Sequence, residues 1–209
     1  PNISIRFTMS SMLGCTEMVA KGEEKRRRIV LAATSLFSRY GFKRTSIDLL
    51  AAEAGVAKPT VYAYFADKEA IFRAVVESVT DELLAAADLA SQSSAPIEER
   101  LAAMLSAKFT RYWELVHASP HARELMDSQG ELGAELVQRS DRAFLKLLMS
   151  VLEDTKELDL KRAGMTVPAT AHLFLRAASG ANYDATSVAM HRRLVSEIVR
   201  VLVAGLRKG

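Results

Sequence analysis

Ammonium, hydroxyl and phenol groups gather in one short stretch in the first third of the chain. Lys58, Pro59, Thr60 and Tyr62 follow closely after Gly55. A lysine can reach guanine or a phosphate oxygen, a threonine can contact a thymine methyl group, and a proline ring offers apolar contact alone. The chemistry that these residue types favour is noncovalent recognition rather than bond making.

Helical periodicity surrounds this stretch. Apolar residues at three- and four-residue steps predict a first helix from Glu23 that ends before Gly41. Ser46 offers a cap oxygen for a second short helix that Gly55 ends. Pro59 suits the first turn of a third helix. Two short helices joined by a glycine-containing turn predict a helix-turn-helix.

Helical patterns continue to the end of the chain. A fourth helix follows Asp67, and the remaining helical stretches cover residues 98–117, 121–128, 131–153, 168 to about 188, and 191–207. Neither strand-like alternation nor an internal repeat competes with them. The predicted fold is all-α, with an N-terminal three-helix domain that contains the helix-turn-helix and a C-terminal helical bundle. The predicted divisions are a disordered tail over 1–20, the N-terminal domain over 21–67 and the bundle over 68–209.

The charge distribution favours the same region. The formal net charge is only +3, from 28 Lys and Arg against 25 Asp and Glu. Residues 21–73, however, carry 11 basic and 6 acidic side chains. A localised basic excess is typical of a surface that meets nucleic acid.

A dense motif covers residues 45–72. Its parts occur without a gap as Thr45-Ser46, Ala51, Ala54-Gly55-Val56, Thr60-Val61-Tyr62-Ala63-Tyr64-Phe65 and Lys68-Glu69-Ala70-Ile71-Phe72. This segment resembles the DNA-binding domain of the TetR family of bacterial transcriptional regulators. The resemblance implies a sequence-specific DNA-binding protein with double-stranded operator DNA as its partner.

The third helix would present its N-terminal end to the major groove. We therefore expect base contacts from the exposed positions of that end, which are Lys58, Pro59, Thr60 and Tyr62. Phosphate contacts are expected from Ser46, Tyr64 and Lys68, although Tyr64 is alternatively a packed aromatic ring. The basic run 25–28 is either a second backbone contact or a solvated face partnered by neighbouring glutamates.

Two positions depart from the family pattern. Ala57 replaces the Ser or Thr that usually caps the recognition helix, which predicts a less firmly started helix. Ala63 replaces a polar residue that is common there and removes one possible contact. The operator sequence is therefore not predictable by analogy.

The last two helices are predicted to form a dimer interface. A small-residue face and an apolar stripe suit close packing of a second copy across a two-fold axis. The residues expected there are Ala178, Ala181, Leu194, Ile198, Val199 and Leu202. Burial within one subunit is the alternative, and both can hold for different faces. In the TetR family this helix pair forms a four-helix bundle across the dimer axis.

The middle helices are predicted to supply an effector pocket. Large, adaptable apolar side chains with a few polar tips suit a small, largely apolar organic molecule, although such residues can equally be plain core. The candidates are Met104, Phe109, Tyr112, Trp113, Phe144 and Met149. The predicted function is a homodimeric repressor released from a palindromic operator by this effector. The alternative is an effector-independent or protein-partnered DNA-binding protein of the same fold.

Other function classes lack the residues that they need. The chain has no glycine-rich phosphate loop, nucleophile elbow or zinc-protease motif, so we predict no enzymatic activity and no cofactor. His117 and His121 have a metal-ligand spacing, but Pro120 interrupts their helix, and no metal site is predicted. The lone Cys15 fits a reducing compartment, no membrane span is predicted, and the expected location is the cytoplasm.

Overall fold

The computed structural model describes residues 3–117 and 130–208. These residues form helices and no strand, and one isolated bridge pairs Leu158 with Arg207. The helices are α1 (Ile3–Tyr40), α2 (Ile47–Ala54), α3 (Lys58–Tyr64), α4 (Lys68–Ser91), α5 (Ile97–His117), α6 (Gly130–Asp154), α7 (Val167–Ser179), α8 (Ala181–Asp184) and α9 (Val188–Leu206). The predicted all-α class is confirmed. The helix predicted over 121–128 lies outside the described residues.

Helix α1 is longer than the sequence pattern indicates. It begins at Ile3 and so includes residues 3–20, which the helical pattern in the sequence leaves outside the helix. No proline lies between Ile3 and Tyr40. Once a helix is nucleated, each added residue gains a backbone hydrogen bond, so a segment of modest helix propensity can extend it. Gly41, with φ +84°, ends the helix as predicted.

The N-terminal compact unit ends at Val75, within α4. Its core is formed by apolar side chains of α1 to α3 and of the first turns of α4, namely Ile29, Ala33, Leu36, Phe37, Leu50, Val61, Phe65, Ile71 and Phe72. Phe37, Phe42 and Phe72 form an aromatic cluster with ring centroids 5.4 to 6.3 Å apart. This packing explains why the compact unit extends past residue 67, where the sequence places the boundary.

The C-terminal unit runs from Val76 to the end of the chain. Helix α9 packs along α5 and α7, and α6 packs against α7. Its core consists of large buried side chains from these helices, among them Leu101, Leu105, Phe144, Leu148, Phe174, Val195, Val199 and Val203. The bundle predicted from the apolar periodicity is confirmed for the described residues.

The helix predicted from 168 to about 188 is divided in the structure. Helix α7 ends at Ser179, and α9 starts only at Val188. Ser187 adopts an extended conformation (φ −154°, ψ 159°), and its side chain accepts a hydrogen bond from the Met190 amide. An N-cap of this kind starts a new helix and competes with continuation of the preceding one. The sequence pattern does not reveal this cap, because apolar residues at helical spacing occur on both sides of it.

Candidate nucleic-acid interface

The helix-turn-helix is built by two local signals that the sequence carries. Ser46 is the N-cap of α2, and its Oγ accepts a hydrogen bond from the Leu49 amide at 3.2 Å. Gly55 ends α2 in the left-handed region at φ +62°. Helix α3 then begins at Lys58 with Pro59 in its first turn, and Ala57 supplies no side-chain cap. All three features agree with the predictions.

The two faces of α3 have different roles. Val61 is fully buried and Phe65 nearly so, which fixes α3 against α2 and the N-terminal core. On the other face Lys58 and Pro59 are exposed and Tyr62 is 50% exposed. Three of the four residues predicted to contact bases are therefore accessible to a partner.

The other predicted contact residues are less uniformly exposed. Thr60 and Tyr64 are half-buried, whereas Ser46 is exposed. A Cβ placed on Gly22 of α1 would lie 3.6 Å from the Tyr64 hydroxyl, so this phenol reaches α1. The structure thus gives Tyr64 a packing role of the kind that the sequence left open.

Lys58 has an acidic partner in α2. Its Nζ lies 3.0 Å from Asp48 Oδ2, and both side chains are exposed. The hydrogen bond that Lys58 donates to this carboxylate, together with the negative charge of the carboxylate, raises the pKa of Lys58. Exposed pairs of this kind contribute little to stability. Asp48 thus holds the ammonium near the start of α2 without fixing it there.

Lys68 is engaged by the backbone rather than left free for a phosphate. Its Nζ donates to the carbonyl oxygens of Phe42 at 2.9 Å and Thr45 at 3.1 Å, and lies 3.5 Å from that of Lys43. It also sits 4.5 Å from the centroid of the Phe42 ring. Burial lowers the pKa of Lys68. An ammonium has three N–H groups, and here carbonyls occupy them all, so the lysine stabilises the loop between α1 and α2.

Most of the basic run in α1 is also used within the unit. Arg27 pairs with Glu24 at 2.9 Å, and Arg26 lies 5.4 Å from the centroid of the Phe65 ring. Arg28 Nη2 donates to the carbonyl oxygens of Ala54 at 2.5 Å and Gly55 at 3.1 Å. The glutamate pairing favours the solvated-face alternative for Arg27, and Arg28 holds the end of α2.

Two basic residues that the sequence reading passed over lie beside the interface. Lys43 and Arg44 are exposed in the loop directly before Thr45 and the Ser46 cap. The signal available in the sequence is a pair of basic residues immediately N-terminal to a helix start. Cations near such a position can hold a DNA strand in place by phosphate contacts.

The predicted dimer residues divide into two sets. Ala178, Ala181 and Val199 are buried in the core of their own chain. Small side chains at these positions let α7 to α9 approach other helices of the same unit, which is the alternative that the sequence left open. Leu194, Ile198 and Leu202 of α9 are partly buried.

Two cavities in the C-terminal unit are lined by described residues. One measures about 230 Å³ and is lined by Leu83, Lys108, Phe109, Tyr112, Val137, Ser140, Asp141 and Asn182. The other measures about 440 Å³ and is lined by Phe109, Gln138, Asp141, Arg142, Leu145, His172, Leu175, Arg176 and Ser179. Phe109 lines both, and Tyr112 lines the smaller.

The other predicted ligand residues do not line these two cavities. Met104 and Phe144 are buried in the core, and Met149 packs against it. Trp113 is buried and stacks on His117 with ring centroids 4.0 Å apart. Its Nε1 has no hydrogen-bond partner among the described residues. The polar residues that line the cavities are not among the sequence predictions, because those predictions rest on large apolar side chains.

The predictions about metal binding and membrane spans are compared with the described residues only. His121 lies outside the described residues, so the spacing of His117 and His121 has no structural counterpart here. Among the residues whose side chains the structure describes, no three metal-ligating side chains come together. Among these residues no helix combines the length and the apolar character needed to cross a bilayer.

Comparison with known proteins identifies the N-terminal unit. Residues 29–75 match the family model of bacterial regulatory proteins, tetR family. The HTH-type transcriptional regulator YhgD of Bacillus subtilis is 29% identical over 137 residues, which cover 63% of this chain and 69% of YhgD. The HTH-type transcriptional activator FasR of Mycolicibacterium smegmatis is 30% identical over 87 residues, which cover 42% of this chain and 40% of FasR. Less than half of FasR is therefore matched.

The fold also matches solved structures along most of the chain. A TetR-family regulator from Mesorhizobium loti superposes with a TM-score of 0.67 at 22% identity, covering 90% of this chain and 98% of that one. Identity at this level establishes the fold alone. Together with the family model over residues 29–75 and the exposed face of α3, it supports a DNA-binding transcriptional regulator that is similar to the TetR family.

Proposed function

We propose that this regulator is a cytoplasmic homodimeric repressor that binds a palindromic operator and is released by a small effector. The observation that carries the DNA-binding part is the division of α3 into a buried face and an exposed N-terminal end. Val61 and Phe65 anchor the helix, while Lys58, Pro59 and Tyr62 remain accessible. This is the end that a recognition helix presents to base edges.

Ser46 and the exposed pair Lys43 and Arg44 are assigned to the phosphates that flank those bases. The Ser46 hydroxyl lies at the N-terminus of α2, where the helix dipole favours an anion. Lys68 is assigned a supporting role, because its three carbonyl contacts hold the loop that carries these residues. The DNA contact proposed from the sequence for Lys68 is therefore replaced by an indirect one.

A dimer is proposed because one helix-turn-helix covers a short half-site. Two-fold dimers place their recognition helices about 34–36 Å apart, one turn of DNA. The outer face of α9 supports this assembly through the partly buried Leu194, Ile198 and Leu202 and the exposed Val201. Ala178, Ala181 and Val199 support that face from beneath.

Effector release is proposed from the C-terminal unit. The buried Trp113 Nε1 is unpaired among the described residues, and an orphaned donor of this kind calls for a water or a ligand group. The cavity of about 230 Å³ lies along the same helix, at Phe109 and Tyr112. Helix α4 begins in the N-terminal unit and ends in the C-terminal unit, so it is the proposed route by which an effector changes the population of DNA-binding conformers.

Operator selection from a random duplex library tests the proposal. The best site is titrated with the wild type, with Tyr62→Ala and with Tyr183→Ala. Tyr183 is a matched control because it is 89% exposed and lies in α8 of the other unit. We expect a palindromic site, a loss of about tenfold to a hundredfold for Tyr62→Ala, and no change for Tyr183→Ala. Equal binding of all duplexes by all three proteins would refute sequence-specific regulation.

The sign of regulation and the need for an effector are tested by transcription from the selected site. A repressor lowers transcription from a promoter that contains the site, whereas an activator, as FasR is named, raises it. A protein that binds DNA without an effector would hold the site at every concentration of small molecules supplied. That result would favour the effector-independent alternative.

A further inference from the structure

A partly buried ion pair borders the smaller cavity of the C-terminal unit. Lys108 Nζ of α5 lies 2.8 Å from Asp141 Oδ1 of α6. The lysine side chain is only 11% exposed, and that of Asp141 is 40% exposed. The ammonium also lies 5.2 Å from the centroid of the Phe144 ring. A charge at this depth is stable only while an opposite charge remains beside it.

The other described residues that line this cavity carry no charge. They combine three apolar side chains with Tyr112, Ser140 and Asn182. Lys108 and Asp141 therefore neutralise each other, and the described part of the lining has a net charge of zero. A carboxylate ligand would add an unbalanced negative charge, and an ammonium ligand an unbalanced positive one. An uncharged ligand avoids both costs.

Hydrogen-bonding groups nevertheless face the same space. Asn182 Oδ1 lies 2.9 Å from His191 Nε2, and Thr110 Oγ1 lies 3.1 Å from His191 Nδ1. Burial together with the nearby His117 lowers the pKa of His191, which favours the neutral imidazole. With its one proton on Nε2, the ring donates to Asn182 and accepts from Thr110. The oxygen of the Asn182 amide is then occupied, and the amide N–H groups are the donors that this residue brings to the wall.

Ser140 adds a second polar group at this wall. The residue is buried and lines the cavity. A hydroxyl can both donate and accept, and the second oxygen of Asp141 is a further acceptor. The wall therefore offers donors and acceptors side by side, next to the apolar surface of Leu83, Phe109 and Val137.

We propose that the cavity beside Lys108 and Asp141 binds a small uncharged molecule with adjacent hydrogen-bond donor and acceptor groups on an apolar body, such as a primary amide on a ring. This assignment rests on the proposed function of the C-terminal unit as an effector-binding unit, and it changes the ligand class predicted from the sequence from largely apolar to polar and neutral. At about 230 Å³ the space is below the roughly 300–1,000 Å³ of pockets for drug-sized ligands, so the molecule is small.

Four probes of nearly equal shape test the ligand class: benzamide, benzoate, benzylamine and toluene. Each is titrated at pH 7 into the ¹⁵N-labelled full-length protein, and the backbone amides of residues 137–141 on α6 report binding at this wall. We expect benzamide to bind about tenfold more tightly than benzoate, benzylammonium or toluene, because only the amide satisfies donors and acceptors without an added charge. Tighter binding of any other probe, or no shift with benzamide, would overturn the proposal.

Charge variants test the role of the ion pair. In Asp141→Asn the unpaired ammonium should shift the preference toward benzoate by about tenfold, and in Lys108→Gln the unpaired carboxylate should shift it toward benzylammonium. Glu153→Gln and Lys146→Gln are matched controls, because both residues are exposed on α6 and lie outside the cavity lining. An unchanged preference in a folded cavity variant would contradict the role of the pair. The wild-type ranking stays decisive if a variant does not fold.

A parallel operator titration separates this inference from the proposed function. If benzamide binds at residues 137–141 and operator affinity is unchanged, the ligand class stands and effector-controlled release fails. If operator affinity falls with toluene or benzoate instead, effector control stands and the ligand class fails.

Discussion

Each unit holds a lysine that is at least partly buried, and the two lysines have opposite roles. Lys68 in the N-terminal unit points its Nζ at three backbone carbonyls, which are neutral and fixed. Lys108 in the C-terminal unit has one carboxylate partner, Asp141, and borders a cavity. A lysine whose donors are all taken by backbone is an architectural group. One with a single partner beside an open space keeps donors for something else.

The same contrast extends to the rest of each unit. The N-terminal unit assigns its buried polar groups to loops and helix ends, which fixes a surface for DNA. In the C-terminal unit, polar groups line a cavity wall.

The substitution with the largest expected effect on this contrast is Lys68→Met. Loss of the ammonium leaves the carbonyls of the loop with fewer partners, and we expect the free energy of unfolding of the N-terminal unit to fall by about 3 kcal/mol.

Native-state hydrogen exchange of the amides of α2 measures this loss. Lys43→Met is the control, since Lys43 is exposed and its side chain holds no carbonyl in this loop. If Lys68→Met changed the exchange of α2 no more than the control, Lys68 would be free to act as a direct phosphate ligand after all.

A pair of glycines, one in each unit, gives the next largest effect. Gly55 and Gly164 have nearly the same φ, +62° and +66°. A Cβ on Gly55 would meet Arg28 Nη2 at 2.5 Å, whereas one on Gly164 would meet nothing within 4 Å. We expect Gly55→Ala to lower the free energy of unfolding by about 2–3 kcal/mol and Gly164→Ala by about 1 kcal/mol. Urea titrations followed by circular dichroism compare them. Equal losses would show that Arg28 moves aside at no cost.

Helix caps should show no difference between the units. Ser46 caps α2 and Ser187 caps α9, each through a hydrogen bond of 3.2 Å to a backbone amide. We expect Ser46→Ala and Ser187→Ala each to lower the free energy of unfolding by about 1 kcal/mol. Thermal unfolding of both variants provides the measurement. A much larger loss for Ser46→Ala would mean that its hydroxyl does more than cap α2.

The smallest expected effect comes from comparing Asp48 and Asp141, the two aspartates that form ion pairs with lysines. Asp48→Asn frees the exposed Lys58 and removes a negative charge near the DNA, so we expect a gain of about two- to threefold in affinity for nonspecific duplex at low salt. Asp141→Asn, in the other unit, should leave that affinity unchanged. Fluorescence anisotropy at several salt concentrations checks both. The comparison fails if Asp141→Asn produces the larger gain.

The sequence predicted most of the N-terminal unit because its signals are local. The Ser46 cap, the Gly55 turn and Pro59 in α3 each act within a few residues, and the structure confirms all three. The role of Lys68 was not predictable from this stretch alone. Its acceptors include Phe42, 26 residues away, and such a distance leaves no periodic trace.

The C-terminal unit was predicted as a bundle but not as a site. Apolar periodicity identifies which helix faces are buried, but it does not distinguish the wall of a cavity from a packed core. Met104 and Phe144 are therefore predicted to line a pocket, whereas they lie in the core. The pairing of Lys108 with Asp141 joins residues on α5 and α6, and no periodic pattern in the sequence connects them. Whether the proposed DNA, dimer and ligand contacts form stays a prediction.

The contact between Arg28 of α1 and the carbonyl oxygens at the end of α2 has a consequence for protein engineering. The Arg28 guanidinium occupies the volume that a side chain at position 55 would need, and it holds the last carbonyls of α2. A recognition segment grafted from a relative would therefore dock correctly beside the retained Arg28 only if the relative also has a glycine at the position of Gly55. Where the relative has a larger residue there, its own residue at the position of Arg28 should be grafted as well, and we expect the two positions to covary among homologous sequences.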